Sequence, residues 1–578
     1  NTMSTNTQLA AIFQQMADLV EITGGNRFRA IAFQKVARIL DDLVEDVGGL
    51  EFDDLIAMEG IGKGTAEHIL EFVETGAIDQ HQQLLAKVPK GLLDLLDIPG
   101  LGPKTVALLW QKAKIGNLQE LQTKLQSDEL AKLPGLGAKK LENIRKNLAF
   151  AAEASKRHHL GHALPLAFWF IEQLETFPGV KKVAYAGSLR RGRETIGDLD
   201  LLIAANEKDA AKISEAFTQL EPVGEIQVQG ATKTSVRTQD GMQVDLRIVE
   251  PKHFGAALMY FTGSKAHNVV LRQRAIDQGM KLNEYGLYKG TKIIASKTEE
   301  DIYKAFDLPY IPPELREDRG EFEIFGTHKE IDLVTDDDIR GVIHAHSTWS
   351  DGKFSIKEMA EACIERGYEY LGITDHSQTA AYAGGLKPDE VKQQWDEIDA
   401  LNEEFKSTGT NFVIFKGIES DILADGNLDY EDDILEGFDF IIASVHQSLE
   451  MPEKKMMERF RNAIKNPYTR MIGHPTGRLL LKREESKIDL NELVALAAEH
   501  NTAIEINANP RRLDLDWKFG NKAKEVGMMT SINPDAHNID GIDLMKYGVR
   551  IARKGKYEKE RVLNTKSAEE VMKFFKNC

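Results

Sequence analysis

The hydrophobic and polar positions of the chain follow a different pattern in each of three regions. In the first 150 residues, apolar segments with helical spacing are interrupted by a repeated glycine-containing turn. Between residues 165 and 250 the apolar runs become short and alternate with polar positions, which is typical of strands with one buried face. From residue 341 onward, short apolar runs alternate with helical segments, and this alternation predicts a parallel α/β layout.

Eleven runs have the length and composition of strands. The middle region contains four predicted strands, at Lys182–Ala186, Leu199–Ala204, Ser235–Thr238 and Gln243–Val249. The last region contains seven, at Val342–His346, Tyr370–Thr374, Phe412–Glu419, Phe438–His446, Thr469–His474, Ala503–Asn507 and Met529–Asp535. Six of these seven end in, or run directly into, a histidine or carboxylate, so the polar strand ends are the first candidates for function.

The turn in the first region has the form Gly-x-Gly and occurs three times, each time between two helical segments. This arrangement is the helix-hairpin-helix pattern. Its glycines are Gly60 and Gly62, Gly100 and Gly102, and Gly135 and Gly137, and the helix starts that follow contain Lys63, Lys104 and Lys139. Glycine permits a positive φ and a close backbone approach. The N–H groups at the following helix N-terminus can then face a phosphate. We therefore predict that these turns, with Lys104 and Lys139, bind the DNA backbone without sequence preference.

Composition narrows the class of protein. The 578 residues carry a net charge of −18, yet residues 85–150 hold 11 Lys and Arg against 6 Asp and Glu. Positive charge is therefore concentrated where a phosphate backbone would bind. No apolar run approaches the ~20 residues of a membrane span, and no signal segment opens the chain. For this reason we expect no membrane partner. Two cysteines exclude a disulfide framework, so we expect a cytoplasmic protein.

Three carboxylates in the middle region form the first candidate centre. Asp198 and Asp200 occupy positions i and i+2 of a predicted strand, so both point to one face, and Asp245 follows the same alternation in another strand. Three such carboxylates can hold two Mg²⁺ ions for nucleotidyl transfer. The preceding Gly187-Ser188 turn opens a loop whose Arg190 and Arg191 can grip phosphates, because arginine makes bidentate contacts.

The strand ends of the last region form the second candidate centre. Nine side chains are candidate metal ligands: His344, His346, Asp351, His376, Glu419, His446, His474, Asp535 and His537. Active sites of α/β barrels lie at the C-terminal ends of their strands, where a closed ring would bring these residues together. Nine donors are too many for one tetrahedral ion and suit two or three. Imidazole with carboxylate favours Mn²⁺, Fe²⁺ or Zn²⁺ over Mg²⁺ alone.

Over residues 1–317 the chain resembles the family X DNA polymerases. The likeness is carried by Gly187-Ser-Leu-Arg-Arg-Gly192, Gly197-Asp-Leu-Asp200, Tyr260-Phe-Thr-Gly-Ser264, Asn268, Arg272 and Asn283-Glu-Tyr285. The resemblance implies that Asp198 and Asp200 bind both catalytic metals, and that Asp245 assists the metal at the primer terminus. It implies nucleotide contacts for Ser188, Arg191, Gly197, Tyr260, Phe261, Gly263, Asn268 and Arg272, and a role in closing the site for Glu284 and Tyr285.

One position departs from the family X pattern. Lyase-competent relatives carry a Schiff-base lysine in the helix after the first hairpin, and His68 stands at the aligned position here. A neutral imidazole does not form that imine, so we expect no deoxyribose-phosphate lyase activity from this site.

Residues 341–537 resemble the PHP domain, the polymerase and histidinol phosphatase superfamily. The matching motifs are His344-Ala-His346, Ser350-Asp351-Gly, Thr374-Asp-His376-Ser, Gly417-Ile-Glu419, Ser444-Val-His446, Gly473-His474-Pro and Asp535-Ala-His537. The resemblance implies a distorted (β/α)₇ barrel with a trinuclear site and an active centre, because all nine family ligands are present. Pro534 replaces a residue that is usually small or hydroxylated, which would shift the last ligand pair slightly. Asp375 and Arg511 are candidates for outer-sphere or substrate contacts.

Together the two resemblances identify the chain as similar to the bacterial family X polymerases with a C-terminal PHP domain. They imply gap filling with Mg²⁺ or Mn²⁺ in DNA repair, and 3′-5′ exonuclease or other 3′-end processing, with abasic-site incision as an open alternative. The implied partners are gapped or nicked duplex DNA and deoxynucleoside triphosphates, with the protein a monomer. The fold class is a multidomain α+β and α/β protein with a lyase-like helical domain (1–84), a helix-hairpin-helix subdomain (85–150), a palm (151–251), a thumb (252–317), a linker (318–340) and the PHP domain (341–578).

Three other functions remain open from the sequence. A small-molecule phosphoesterase would use the last region alone, but it has no need of three DNA-backbone hairpins. A DNA-end scaffold with decayed sites would have lost some of the carboxylates that are present here. Template-free terminal transfer would use the same three aspartates, and primer extension on gapped against single-stranded DNA would separate it from gap filling.

Overall fold

The computed structural model describes residues 5–42, 47–58, 60–98, 101–127, 129–154, 156–327 and 331–576. The chain forms two compact units, Asn1–Ser155 and Lys156–Cys578. Among the described helices, none is both long enough and apolar enough to cross a membrane.

The first unit is helical throughout its described residues. Its helices are α1 (Thr5–Ile22), α2 (Arg27–Asp42), α3 (Phe52–Ala57), α4 (Lys63–Thr75), α5 (Asp79–Leu85), α6 (Pro103–Ala113), α7 (Leu118–Lys124) and α8 (Ala138–Ala154). The three predicted turns bury their central apolar residue, which is Ile61, Leu101 or Leu136. Each central residue therefore anchors its turn in a hydrophobic core, and the described flanking glycines Gly60, Gly62, Gly102, Gly135 and Gly137 are exposed.

Positive φ angles explain part of the glycine requirement in these turns. Gly60 and Gly135 have φ angles of 87° and 90°, a region that side chains with a Cβ rarely adopt. Gly62 and Gly102 are extended and cap the N-termini of α4 and α6. Gly100 lies outside the described residues.

The second unit begins with a five-stranded sheet. Its strands and helices are β1 (His158–His159), α9 (Leu160–Glu175), β2 (Val180–Tyr185), α10 (Gly187–Arg190), β3 (Thr195–Ile196), β4 (Asp198–Ala205), α11 (Glu207–Thr218), β5 (Val223–Gln229), β6 (Lys233–Thr238) and β7 (Gln243–Val249). The sheet order is β2-β4-β7-β6-β5, and β1 pairs with β3. Only β4 and β7 are parallel neighbours within this sheet, and the other pairs are antiparallel.

A small helical and three-stranded part follows the sheet. It contains α12 (Phe254–Thr262), α13 (Lys265–Asp277), β8 (Lys281–Asn283), β9 (Gly286–Lys289), β10 (Lys292–Ala295), α14 (Glu299–Ala305) and α15 (Glu321–Phe325). Helix α15 falls in the segment 318–340 that the sequence suggests as a linker. Its Phe322 and Phe325 pack into the same hydrophobic cluster as Ile302 and Leu315, so the start of this segment is folded onto the preceding part.

The rest of the second unit is a seven-stranded parallel barrel with helices around it. Its elements are β11 (Gly341–Ala345), α16 (Ile356–Glu365), β12 (Tyr370–Ile373), α17 (Pro388–Ser407), β13 (Val413–Asp421), α18 (Asp432–Leu435), β14 (Phe440–Ser444), α19 (Glu453–Lys465), β15 (Thr469–Ile472), α20 (Leu490–Glu499), β16 (Ala503–Asn507), α21 (Gly520–Val526), β17 (Thr530–Asn533), α22 (Met545–Lys554) and α23 (Ala568–Lys576).

The seven barrel strands follow their order in the chain, β11 to β17, and each pairs in parallel with the next. A parallel bridge between Ala345 and Ala536 joins the first strand to the segment after the last. All seven predicted strands are therefore confirmed, and their C-terminal ends converge on one end of a nearly closed ring.

One strand of the five-stranded sheet was absent from the sequence prediction. Strand β5 lies at the sheet edge, and all but its first residue are exposed. Its Ile226 and Val228 are 45% and 51% exposed, so the polar and apolar alternation of residues 225–229 does not correspond to a buried face.

Candidate functional sites

The three aspartates of the middle region meet on neighbouring strands. Asp200 on β4 is the direct register partner of Asp245 on β7, and Asp198 lies two residues earlier on the same face. The three side chains bring their oxygens within 4.8 Å of one another. The alternating Leu199 and Leu201 are buried, so core packing holds β4 in the register that keeps the carboxylates together.

The electrostatics of this triad favour a bound cation. Burial and the neighbouring carboxylates of Asp198 and Asp245 raise the pKa of the Asp200 carboxyl to about 7. Burial and Asp245 also raise the pKa of Asp198. Like charges held this close oppose ionisation, and a divalent cation between them would relieve the repulsion. The donor set therefore fits divalent metal ions.

The loop before β4 approaches the triad very closely. Gly187 has a φ of 63°, and a Cβ placed on it would lie 2.1 Å from Oδ2 of Asp200. Ser188 follows in the short helix α10, and Gly197 comes immediately before Asp198. Glycine is thus required at position 187 both for the backbone angle and for the space beside Asp200.

The two arginines of this loop have different partners. Arg190 forms a bidentate ion pair with Glu299, with N–O distances of 2.8 and 2.7 Å. Arg191 donates from Nε to Oε1 of Glu317 at 2.9 Å and from a terminal nitrogen to the Thr262 carbonyl at 2.6 Å. Both arginines therefore connect the loop to the part that contains α12 and α14.

The other predicted nucleotide contacts lie on α12, α13 and the turn between them. Tyr260 is 40% exposed, and the Arg247 guanidinium lies 4.6 Å from the centre of the Phe261 ring. Asn268 donates to the Tyr260 carbonyl at 2.9 Å. Gly263 is buried at the end of α12, and Arg272 is exposed on α13. Because Arg247 lies on β7 two residues after Asp245, Phe261 is beside the strand that carries the third aspartate.

Glu419 is at the centre of the second candidate site. Histidine nitrogens lie within 3.5 Å of its carboxylate oxygens, from His344, His346, His376, His446 and His474. Burial alone would raise the pKa of Glu419, but the surrounding imidazoles hold it well below its usual range. A buried carboxylate among five imidazoles is typical of a metal centre rather than of a hydrophobic core.

Three overlapping groups of ligand atoms surround Glu419. They are His346, Asp351, His376 and His537; His344, His346, Glu419 and Asp535; and His376, Glu419 and His446. His474 is outside these groups, but its Nε2 lies 2.9 Å from Oε1 of Glu419. The structure thus brings all nine predicted ligands to one end of the barrel. The three groups fit the two or three ions that the sequence suggested.

Two further observations show that these residues fit metal ions. The Nε2 atoms of His344 and His346 face each other at 3.2 Å. The buried Nδ1 atoms of His346 and His376 make no hydrogen bond to any described residue. The Nδ1 atom of His376 nevertheless lies 3.2 Å from Oε2 of Glu419. Buried ring nitrogens that lack a hydrogen bond are costly, and a cation would satisfy them. Asp535 also lies in the cluster despite the preceding Pro534, with Oδ1 3.0 Å from His346 Nε2.

Sequence reasoning missed two carboxylates that hold the ligands in place. Glu505 is fully buried, accepts from His344 Nδ1 at 2.5 Å and accepts from the His474 backbone N–H at 2.7 Å. Asp421 accepts from Nδ1 of His446. Glu505 lies two residues before Asn507 on β16, and Asp421 lies two residues after Glu419 on β13, so each shares a strand face with another polar residue. Strand alternation was therefore the signal that could have identified them.

The two other outer-sphere candidates of the barrel lie in different places. Asp375 is buried and accepts from the Ser347 and Ser350 hydroxyls and from Gln394, so it fixes the loop between His346 and Asp351. Arg511 is exposed, and its charge contributes to the lowered pKa of His159, whose largest cause is burial. The charge of Arg511 is therefore felt at β1.

The first unit presents its predicted DNA contacts at the surface. Gly60, Gly62, Gly102, Gly135 and Gly137 are exposed, as are Lys104 and Lys139. His68 lies on α4 with Nδ1 3.4 Å from a Glu71 oxygen and its ring against Phe13.

Cys363 of the barrel is buried, and burial raises the pKa of its thiol to about 12, which excludes a nucleophilic role.

Comparisons with known proteins agree with this geometry. Family profiles match a helix-hairpin-helix domain at residues 4–78, a SAM-like helix-hairpin-helix tandem at 92–149, the DNA polymerase beta thumb at 257–317 and a PHP domain at 343–509. These matches confirm the predicted fold class.

Three relatives cover different shares of the chain. The DNA polymerase/3'-5' exonuclease PolX of Bacillus subtilis (strain 168) is 42% identical over 569 residues, which are 98% of each chain. DNA polymerase lambda of Rattus norvegicus is 26% identical over 322 residues, 51% of this chain and 53% of that protein. A probable phosphatase of Thermoanaerobacter sp. (strain X514) is 28% identical over 233 residues, 38% of this chain and 89% of that protein.

Proposed function

The chain belongs to the bacterial family X DNA polymerases with a C-terminal PHP domain, and on that premise we propose which residues carry each of its activities. The similarity to the Bacillus protein covers 98% of each chain, and it extends DNA polymerase and 3′-5′ exonuclease activity to this protein. We propose that it fills short gaps in duplex DNA during repair, and that it trims 3′ ends at the PHP centre.

The polymerase reaction is assigned to Asp198, Asp200 and Asp245. When bound there, Mg²⁺ or Mn²⁺ would supply charge stabilisation to the triphosphate and the primer 3′ oxygen. That oxygen forms a bond to the α-phosphorus as the bond to pyrophosphate breaks, and we assign uptake of the hydroxyl proton to Asp245. The proposed triphosphate contacts are Ser188, Arg191 and Gly197, and the proposed sugar and base contacts are Tyr260, Phe261, Gly263, Asn268 and Arg272.

The exonuclease reaction is assigned to the nine candidate ligands, which are Glu419 and the eight residues around it. When bound there, two or three ions of Mn²⁺, Zn²⁺ or Fe²⁺ would activate water and polarise the terminal phosphodiester. Glu505 and Asp421 would fix the orientation of His344 and His446 through their Nδ1 atoms, as outer-sphere carboxylates do at metal sites. The 89% coverage of a probable phosphatase supports 3′-phosphate removal as a second activity of the same centre.

DNA binding is assigned to the hairpins of the first unit. Their exposed glycines and lysines suit the phosphate backbone of a gapped or nicked duplex. We propose that the protein acts as a cytoplasmic monomer on such DNA with deoxynucleoside triphosphates. The proposed domain limits are those of the sequence analysis. We propose no lyase activity at His68, because imidazole does not form the required imine.

The observation that carries the proposal is the presence of two separate ligand sets, one of three aspartates and one centred on Glu419. The test uses one gapped, end-labelled duplex, with Mg²⁺ and Mn²⁺ supplied in separate reactions. Asp198→Ala should abolish nucleotide addition and leave degradation intact, whereas His344→Ala should do the opposite. Loss of both activities in a folded His344→Ala protein would contradict the assignment, and equal extension of single-stranded DNA would favour terminal transfer.

A further inference from the structure

Helix α22, which lies in the PHP part of the chain, contacts the loop before β4 that carries Arg190 and Arg191. Arg550 donates to the Tyr185 hydroxyl at 2.9 Å, at the end of β2. Arg553 forms an ion pair with Glu314 at 2.8 Å. Lys554 donates to the backbone carbonyl of Arg191 itself at 2.9 Å. One face of a helix from the nuclease segment therefore packs beside the loop assigned to the triphosphate.

Lys554 is an unusual residue in this contact because it is almost completely buried. Its side chain has no exposed area, and its ammonium has three acceptors: the Arg191 carbonyl, the Glu314 carbonyl at 3.2 Å and Oε1 of Glu317 at 2.7 Å. Three acceptors match the three donors of an ammonium group. A buried lysine that is fully satisfied in this way is held in one position.

The carboxylate of Glu317 is shared between Lys554 and Arg191. The same Oε1 atom accepts from Lys554 Nζ at 2.7 Å and from Arg191 Nε at 2.9 Å, and Arg193 lies farther away at 3.8 Å. Burial would raise the pKa of Glu317, but Lys554 and Arg191 hold it below its usual value. The cluster thus contains one negative charge against at least two positive charges, so it keeps a net positive charge.

The indole of Trp517 contacts Lys554 together with two arginines, Arg193 and Arg319. Lys554 Nζ lies 4.6 Å from its ring centre, and the guanidinium carbons of Arg193 and Arg319 lie at 5.7 and 5.3 Å. Trp517 is only 5% exposed and belongs to the barrel segment. Cation–π contacts of this kind limit the freedom of the loop arginine as well as that of the lysine.

We propose that Lys554 is a positioning residue for nucleotide addition, supplied by the PHP segment. By neutralising Glu317, Lys554 leaves the charge of Arg191 available to the triphosphate. By binding the Arg191 carbonyl, it fixes the backbone from which that guanidinium extends. The inference rests on the proposed triphosphate contact of Arg191. It means that the PHP part of the chain contributes to the affinity of the polymerase centre for nucleotide.

The test is a charge-balance cycle on the full-length protein. The variants are Lys554→Met, Glu317→Gln and the double variant, and the matched control is Lys546→Met, which removes an exposed lysine from the same helix. The measurements are kcat and KM for one deoxynucleoside triphosphate in single-nucleotide gap filling, the exonuclease rate, and the melting temperature. None of the contacts that the structure describes for Lys554 involves a candidate ligand of the nuclease centre.

Lys554→Met should raise KM roughly tenfold, the smaller effect expected for a lost charged hydrogen bond, with little change in kcat. The exonuclease rate should stay at the wild-type level. Glu317→Gln should leave KM within about twofold of wild type. The double variant should reverse most of the KM increase seen in Lys554→Met, because removing both charges frees Arg191 again. Lys546→Met should have no effect.

Several results would overturn the inference. One is an unchanged KM in Lys554→Met. Another is a double variant that keeps the raised KM, which is the result expected if Lys554 has a purely structural role. If Lys554→Met does not fold, Glu317→Gln still decides, because a tenfold rise of KM in that variant would mean that Arg191 needs Glu317 rather than being restrained by it. A wild-type protein without gap filling would instead refute the proposed function.

Discussion

Asp200 on β4 and Asp245 on β7 stand opposite each other on neighbouring parallel strands, and this pairing forms the core of the centre that we propose for nucleotide addition. Parallel neighbours present their inward residues at the same level, so two carboxylates meet without any loop rearrangement. The raised pKa of Asp200, about 7, reflects that crowding and its burial.

Replacing Asp200 with asparagine should abolish nucleotide addition while the protein remains folded. The amide relieves the repulsion among the three carboxylates, so the melting temperature should stay equal or rise. Loss of a metal-binding carboxylate should lower kcat by at least about a thousandfold, on the order of 4 kcal/mol. Gap filling measured beside 3′-end degradation checks this, and retained addition at more than a tenth of the wild-type rate would remove Asp200 from the centre.

Replacing Glu505 with glutamine should weaken the exonuclease through His344. The substitution removes the carboxylate that accepts from His344 Nδ1, and outer-sphere changes of this kind typically cost about 10–100-fold in metal affinity or activity. Exonuclease activity should be partly restored by excess Mn²⁺. Metal content after dialysis gives a second readout, and Glu499→Gln on the exposed end of α20 is the control. Unchanged activity and metal content would reduce Glu505 to a core residue.

Replacing Gly187 with alanine separates backbone strain from close approach. A Cβ at this position would lie 2.1 Å from Asp200 Oδ2, whereas Gly290 has a similar φ of 59° with nothing within 4 Å of its Cβ position. Both alanine variants should lose roughly 1–2 kcal/mol of folding stability from the left-handed backbone. Only Gly187→Ala should also lose nucleotide addition. Equal activity in the two variants would show that Asp200 moves aside at no functional cost.

The dependence of KM on pH should report the protonation of Lys554. Burial lowers the pKa of its ammonium to about 8, although Glu317 opposes the shift. Below pH 8 the lysine is charged and neutralises Glu317. As pH rises through 8 it loses its proton, and Glu317 then pairs with Arg191 alone. The charged groups facing it are Glu317, Arg191 and Arg193, with Arg319 across the ring of Trp517.

KM for the deoxynucleoside triphosphate should therefore rise above about pH 8 in the wild-type protein. Lys554→Met should show a raised KM at every pH with no such step, and Lys546→Met should follow the wild-type curve. Steady-state gap filling between pH 7 and 9 measures this. A step of the same size in Lys554→Met would assign the titration to another group.

Local patterns predicted the barrel strands, and the structure brings the nine candidate ligands together at one end of them. Each barrel strand is a short apolar run, and six of the seven end in or run into a candidate ligand, so order along the chain predicted which residues would meet. The comparisons with known proteins confirm the family that these motifs indicated.

The parts that sequence reasoning missed depend on contacts between distant segments. Glu505 lies inside a strand, and its importance depends on how β16 places it beside His344, which is 161 residues earlier. Lys554 is the last residue of the amphipathic helix α22, and nothing in the local sequence distinguishes it from the exposed Lys546. Strand β5 was missed although residues 225–229 alternate polar and apolar positions, and its apolar side chains are exposed at the sheet edge rather than buried.

The bridge between Ala345 and Ala536 also has a consequence during protein synthesis. The candidate ligands begin at residue 344 and end at residue 537, and the bridge joins the first barrel strand to the segment that holds the last of them. A chain emerging from the ribosome completes the Asp198, Asp200 and Asp245 centre long before it can complete the other. Nascent chains would therefore gain the capacity to degrade DNA only near the end of translation, when Lys554 has also been made.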